Sequence, residues 1–160
     1  MPLAKPPPQY RRGTGVARGV TTNLILKGLS KNGMGHLWSI ELPPVKDPWW
    51  GESAAAVSLE LRDRWTFRRG SSQRWLPRVC REVKEVNFFI HDSLHTAEHV
   101  MFELKTLWPH LSVGGAMVVD DVDASDGLAL FLERQSARWL AGAHVHKQGR
   151  FAVVLKHSER

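Results

Sequence analysis

Three acidic residues, Asp92, Asp120 and Asp121, stand where short apolar runs stop, and carboxylates delivered to strand ends are suited to cation or hydrogen-bond chemistry. Val86-Asn87-Phe88-Phe89-Ile90 ends in His91-Asp92-Ser93-Leu94-His95, and Ala116-Met117-Val118-Val119 ends in Asp120-Asp121. Carboxylates that converge in one crevice repel one another unless a cation or hydrogen-bond donors neutralise them. Oxygen-rich ligation of that kind suits a hard divalent cation such as Mg²⁺. A further apolar run, His36 to Glu41, also closes on an acid.

The elements that must position these acids follow from hydrophobic pattern. Apolar runs that are continuous rather than alternating predict strands covered on both faces, as in a parallel α/β sheet. Leu94, Ala97, Met101, Leu104, Trp108 and Leu111 recur at spacings of three and four, which predicts a helix over 94–111 joining two such strands. A right-handed crossover then sets Asp92 beside Asp120 and Asp121 at the carboxyl edge, where open α/β sheets bind ligands. Further helices are expected over 23–29, with Thr21 or Thr22 as N-cap and Asn32-Gly33 as the stop, and over 52–64. Two more are expected, one from Gln73 or Pro77 to Lys84 and one from Gly127 to about Ala141. Strands are expected at 65–69, 143–147 and 151–156, the last two paired across Gln148-Gly149-Arg150. The Pro-rich residues 1–12 predict a disordered tail, and Pro48 to Gly51 an irregular loop. The expected fold is α/β: a Rossmann-like, doubly wound, mostly parallel sheet over 13–157 with an antiparallel C-terminal hairpin.

Charge and composition narrow the partners. With 160 residues the chain has room for one core, and its single cysteine excludes an internal disulfide and fits a reducing cytoplasm. No apolar run reaches the length of a membrane span. The net charge of +6 is concentrated between Arg62 and Lys84, where Arg62, Arg64, Arg68, Arg69, Arg74, Arg78 and Arg81 cluster. Such a cluster attracts phosphates, but no nucleic-acid motif accompanies it, so a solvated surface is the favoured expectation and nucleic acid is not the expected partner. Trp65 and Trp75, set among these charges, are expected to pack as core.

Three common motifs fail on spacing. Gly13-x-Gly15 is followed by Gly19 with Arg18 where a dinucleotide fingerprint needs its third glycine. His91 and His95 superficially match a zinc helix, yet His91 belongs to the strand end and the two rings need not share a face. Asp121 to Gly127 echoes a calcium loop, but Leu132 stands where the bidentate glutamate belongs.

Taken together, Gly15-x-x-x-Gly19-x-Thr21, the strand ending in Glu41, the turn Gly70-Ser71-Ser72-Gln73, and the strands ending in Asp92 and in Asp120-Asp121 resemble class I S-adenosylmethionine-dependent methyltransferases. The pattern is most similar to the metal-dependent, catechol-type O-methyltransferases and related bacterial enzymes. That resemblance implies that Gly15, Gly19 and Thr21 form the loop beneath the methionine part of S-adenosylmethionine. It implies that Glu41 holds the ribose hydroxyls, and that Gly70, Ser72 and Gln73 border the adenine. It also implies that Asp92, Asp120 and Asp121 surround Mg²⁺ or another divalent cation, with Asp92 bordering the cofactor too. His95, three residues after Asp92, matches the position of a lysine that takes the acceptor's hydroxyl proton; a capping or solvent-facing histidine is the competing expectation. The implied partner is a small-molecule methyl acceptor, such as a hydroxylated or glycosylated metabolite.

The chain departs from that family at its start. Gly13 replaces an acid, and Pro6 to Arg12 replaces the apolar first strand that lies mid-sheet, so the central first strand is expected to be poor or absent. Gln9 to Arg12 as a poor substitute strand, a fragment with a displaced start, and a degenerate non-catalytic relative are the three explanations; coherence from Gly15 onward favours the second. A truncated domain that only binds a partner, and a basic phosphate- or RNA-binding module, stay open as alternatives.

Overall fold

In the computed structural model, residues 10–17, 19–42, 55–145 and 148–158 are described. Seven strands form one sheet in the order β3-β2-β1-β4-β5-β7-β6: β1 Tyr10–Thr14, β2 His36–Glu41, β3 Trp65–Arg69, β4 Val86–His91, β5 Leu111–Val119, β6 Ala137–Ala143 and β7 Arg150–Lys156. β1 to β5 run parallel, while β7 pairs antiparallel with both β5 and β6. The helices are α1 Val20–Lys31, α2 Ser72–Val83, α3 Ala97–Leu107 and α4 Gly127–Leu132.

Helices cover both faces, and β2 shows why. Leu37 and Ile40 are an odd number of residues apart, so their side chains leave the strand on opposite sides. Leu37 joins an apolar cluster with Leu26 and Leu29 of α1 and with Val57 and Leu61. Ile40 joins a larger one with Leu76 of α2, Leu104 of α3, Phe131 of α4, Phe89 and Met117. This is the doubly wound, Rossmann-like arrangement expected from the continuous apolar runs.

The start of the chain corrects an expectation. Tyr10–Thr14 is a strand in mid-sheet, in parallel register with β2 from Tyr10↔His36 to Thr14↔Ile40 and with β4 from Arg11↔Phe88 to Thr14↔His91. Backbone pairing requires no apolar side chain, so a segment that looks like a tail by composition still fills the slot. The remaining tail, residues 1–9, lies outside the described residues, as does the expected loop at Pro48 to Gly51.

Other boundaries also shift. The helix expected over 52–64 is a 3₁₀ segment at Leu59–Arg64, with 52–54 outside the described residues. The helix expected over 94–111 is shorter: α3 starts at Ala97 and gives way to a 3₁₀ turn at Trp108–His110, where Pro109 lacks the N–H a further α turn needs. Its buried face also differs, running through His99, Val100, Glu103, Leu104 and Leu107. Helix α2 begins at Ser72, which leaves Pro77 inside it rather than in its first turn. Strand β5 starts at Leu111, ahead of the apolar run from Ala116, and holds Gly114-Gly115 opposite a register shift between Val86 and Phe88. Helix α4 stops at Leu132 instead of reaching Ala141, because Ala137–Ala143 pairs along its whole length with β7. Pairing with a neighbour there overrides local helix preference.

Among the described residues, no helix is long and apolar enough to cross a membrane. The arginine cluster lies on β3, α2 and the 3₁₀ segment before them. Arg68, Arg74 and Arg78 place their guanidinium carbons 5.3, 5.2 and 5.5 Å from the ring of Trp75, a half-buried tryptophan that also packs against the larger apolar cluster.

Phe89 is fully buried on β4 at the centre of the larger cluster. Replacing it by alanine is expected to cost about 3–5 kcal/mol, seen as a lower urea midpoint at unchanged m value; a loss below about 1 kcal/mol would contradict its place in the core.

Candidate active site

The strand ends are tied together one residue beyond the sheet ladder. Gly15 N–H donates to Ile40 O (3.2 Å), Asp92 N–H to Thr14 O (3.0 Å), Gly70 N–H to Glu41 O (2.8 Å) and Asp120 N–H to His91 O (3.0 Å). Glu41, Asp92, Asp120 and Asp121 therefore follow neighbouring strand ends at one carboxyl edge. A cavity of about 770 Å³ opens there. Gly15, Gly19, Thr21, Glu41, Gly70, Ser72, Gln73 and Asp92, the residues for which the family resemblance implied cofactor contact, all line it.

Local geometry explains the glycine loop. Gly15 has φ +83°, and a Cβ there would come within 1.6 Å of Asp92 O, so only glycine lets β1 pass that close to the end of β4. Beyond it, the Glu41 carboxylate Oε2 accepts the Val16 N–H and, at 3.0 Å, the Ala17 N–H. Glu41 thus pins the loop, with its carboxylate at the cavity wall.

Asp120 and Asp121 come together as expected, but with a partner absent from the sequence reading. His144, just after β6, places Nε2 2.7 Å from Asp120 Oδ1, and ligand atoms of Asp120, Asp121 and His144 lie within 4.8 Å of one another. Among the described residues this is the group able to hold an ion, and Asp92 is not part of it. Asp121 reaches the group with φ +46°, a left-handed conformation that aspartate tolerates. His144 could not be found from spacing, since it arrives only because β7 returns antiparallel beside β5.

His95 lies in the loop before α3, not on the helix. Its Nε2 is 3.9 Å from both Asp92 Oδ1 and Asp121 Oδ2, so it stands between the two strand ends. Its ring meets His91 edge to face with centroids 5.4 Å apart.

Beneath the cavity lies a buried polar cluster that the sequence reading missed. Glu103 is fully buried and accepts four hydrogen bonds: from Thr14 Oγ1 (2.7 Å) and His91 Nδ1 (2.8 Å) on one oxygen, and from His99 Nε2 (2.9 Å) and Ser93 Oγ (3.0 Å) on the other. Ser72 Oγ lies 3.0 Å from the same His99 nitrogen, and Gln73 Nε2 donates to His99 Nδ1 at 3.0 Å. Burial alone would raise the Glu103 pKa, but the hydrogen bonds from His91 and His99 outweigh it and hold the carboxyl far below its ordinary 4.5. The sequence signal was His99 and Glu103 at a four-residue spacing, which puts both on one helical face.

Comparison with known proteins agrees with this geometry. Residues 13–122 match the family described as "Methyltransferase domain", which is more than half of the chain. The chain belongs to that family. This methyltransferase domain superposes on the O-methyltransferase TomG from Streptomyces achromogenes, solved in complex with SAM, with a TM-score of 0.74 and 17% identity over 94% of this chain and 74% of that one. It also superposes on the O-methyltransferase from Bacillus cereus in complex with SAH, with a TM-score of 0.69 and 17% identity over 92% and 74% of the two chains. The MycE methyltransferase of mycinamycin biosynthesis, solved with Mg, SAH and mycinamycin VI, gives a TM-score of 0.60 and 18% identity over 94% of this chain and 45% of that one. Among curated proteins, no significant match is found.

A depressed carboxyl pKa stabilises the fold above the unfolded-state value and ceases to do so as pH falls toward the folded-state value. Acidification below about 4.5 should therefore erode the Glu103 contribution. The stability gap between the wild type and Glu103→Gln is expected to hold from about pH 7 to pH 5 and to narrow from about pH 4.5 downward in urea titrations; a gap that stays constant below about pH 4.5 would show that Glu103 does not fold as a carboxylate.

Proposed function

We propose that this methyltransferase domain transfers the methyl group of S-adenosylmethionine to a hydroxyl of a small molecule, assisted by a divalent cation. The observation that carries the reading is the single cavity that collects all eight candidate cofactor residues at the carboxyl edge of the sheet. Its volume and its close Gly15 floor suit a nucleoside with an extended amino-acid arm.

The residues fit both groups. Glu41 offers a carboxylate for the ribose hydroxyls while keeping its grip on the loop, since a carboxylate accepts several hydrogen bonds. Ser72 and Gln73, at the start of α2, border the adenine, and Asp92 closes the opposite wall. Asp120, Asp121 and His144 would hold the ion, and their mixed oxygen and nitrogen set admits Mn²⁺ or Fe²⁺ as well as Mg²⁺. A cation there lowers the pKa of a bound hydroxyl and fixes its position.

A sulfonium methyl is already activated, so the chain's task is alignment and proton removal. Holding acceptor and donor in line supplies up to roughly 7–11 kcal/mol of the barrier reduction. His95, 3.9 Å from Asp92 and from Asp121, would take the hydroxyl proton.

Calorimetric titration with S-adenosylmethionine is expected to show one site; no heat on folded protein would end the proposal. Glu41→Ala should weaken that binding by about 10- to 100-fold, as loss of hydrogen bonds to a charged group does. Once an acceptor is found, His95→Ala should lower kcat by about 10²- to 10⁴-fold with cofactor affinity kept. Asp120→Asn with Asp121→Asn should remove any stimulation by added Mg²⁺ or Mn²⁺.

A further inference from the structure

The sheet ends in a bare edge. β6 is last in the strand order, and among the described residues no strand pairs with its outer side. Such an edge is normally guarded by charge, proline or a bulge, because its unpaired N–H and C=O groups accept another strand. The opposite edge strand, β3, carries Arg68 and Arg69. β6 reads Ala-Arg-Trp-Leu-Ala-Gly-Ala, with Arg138 as its one charge, no proline and an unbroken register against β7. Trp139 and Leu140 are 57% and 56% exposed, and as neighbours on a strand they leave it on opposite faces. Apolar side chains on both faces of an unguarded edge suit a surface that another chain covers.

The ladder fixes which backbone groups point outward. His144 N–H donates to Gly149 O, so His144↔Gly149 is a hydrogen-bonded pair that extends the β6–β7 ladder past Ala143↔Arg150. Antiparallel pairs alternate in this respect, so Leu140 and Gly142 bond to β7, while Ala137, Trp139, Ala141 and Ala143 turn their N–H and C=O outward. A two-fold axis through Leu140 pairs these outward residues with one another: Ala137 with Ala143 of a second copy, and Trp139 with Ala141 of that copy. Arg138 then falls opposite Gly142, so each bulky side chain except Leu140 meets a small one, and cross-strand neighbours of that kind interlock. Phe151 lies beside Gly142 on β7, with its ring 2.8 Å from where a Cβ would be, so Arg138 of the second copy reaches an aromatic face across the glycine. The two Arg138 residues stay roughly 13 Å apart along the strands. A chain of net charge +6 therefore meets its copy along β6 without a like-charge contact.

We propose that this protein assembles as a two-fold dimer in which β6 of one copy pairs antiparallel with β6 of another, joining two seven-stranded sheets into one. The occupant of the edge is a second copy rather than an unrelated strand, because the size order of Ala137–Ala143 complements itself when reversed. Leu140 lies at the axis against its own copy. His144, one residue past β6, stands opposite Ser136 of the second copy, so the group formed by Asp120, Asp121 and His144 lies beside the contact.

Light scattering behind a sizing column tests the assembly on the whole chain, loaded at about 100 μM, where even a micromolar dimer is populated. The wild type is expected to elute with the mass of two chains; the mass of one would overturn the proposal. Ala141→Pro removes an outward N–H and leaves the bonds to β7 alone, so it is expected to halve the mass with an unchanged circular dichroism spectrum. A folded variant that still elutes as two chains would place the contact elsewhere and overturn the pairing. Cysteines read the register. Leu140→Cys meets itself across the axis at a separation that a disulfide spans, whereas Ala137→Cys is about 20 Å from its copy. Cys80 is buried and does not compete. Mild air oxidation should link the first variant into a covalent dimer and leave the second unlinked. Linkage of both alike, or of neither, would overturn the proposal even if Ala141→Pro did not fold.

Discussion

The structure depends on the pairing of one short strand, β1, with neighbours on both sides. Tyr10–Thr14 joins β2 and β4, and the chain leaves its end outward in one direction and later returns on the other. That reversal of strand order creates the crevice in which α/β sheets hold ligands. Without β1, the ends of β2 and β4 would have no common frame. With it, Gly15, Glu41 and Asp92 come to one cavity.

The same strand explains the buried polar cluster. Thr14, the last residue of β1, lies opposite both Ile40 and His91 and donates to Glu103 on the helix packed over the sheet. A carboxylate in an apolar interior is expensive unless it is surrounded by donors. Here four donors come from β1, β4, the loop after it and α3 itself, so the cost is offset only when those elements are all in place. The cluster thus links correct packing of α3 to the shape of the cavity floor.

On the other side of β4, the electrostatics are looser. Asp120 and Asp121 gather with His144, while His95 stands 3.9 Å from Asp92 and from Asp121. These groups stand partly exposed at the carboxyl edge, whereas Glu103 beneath the cavity is fully buried.

The sequence by itself determined the alternation of strands and helices, the strand ends that carry Glu41, Asp92, Asp120 and Asp121, and the glycine loop. Apolar runs and their stops are local properties, so β2 was placed at His36–Glu41 and β3 at Trp65–Arg69 without coordinates. Tertiary structure decided the rest. β1 is a strand because two neighbours supply backbone partners, not because Tyr-Arg-Arg-Gly-Thr favours one. Ala137–Ala143 is a strand because β7 pairs with it, though its composition suits a helix. His144 reaches Asp120, and Thr14 of β1 and His91 of β4 reach Glu103 of α3, through contacts between different elements. Spacing along the chain records what repeats locally, whereas hydrogen bonds between distant segments exist only once the sheet has closed.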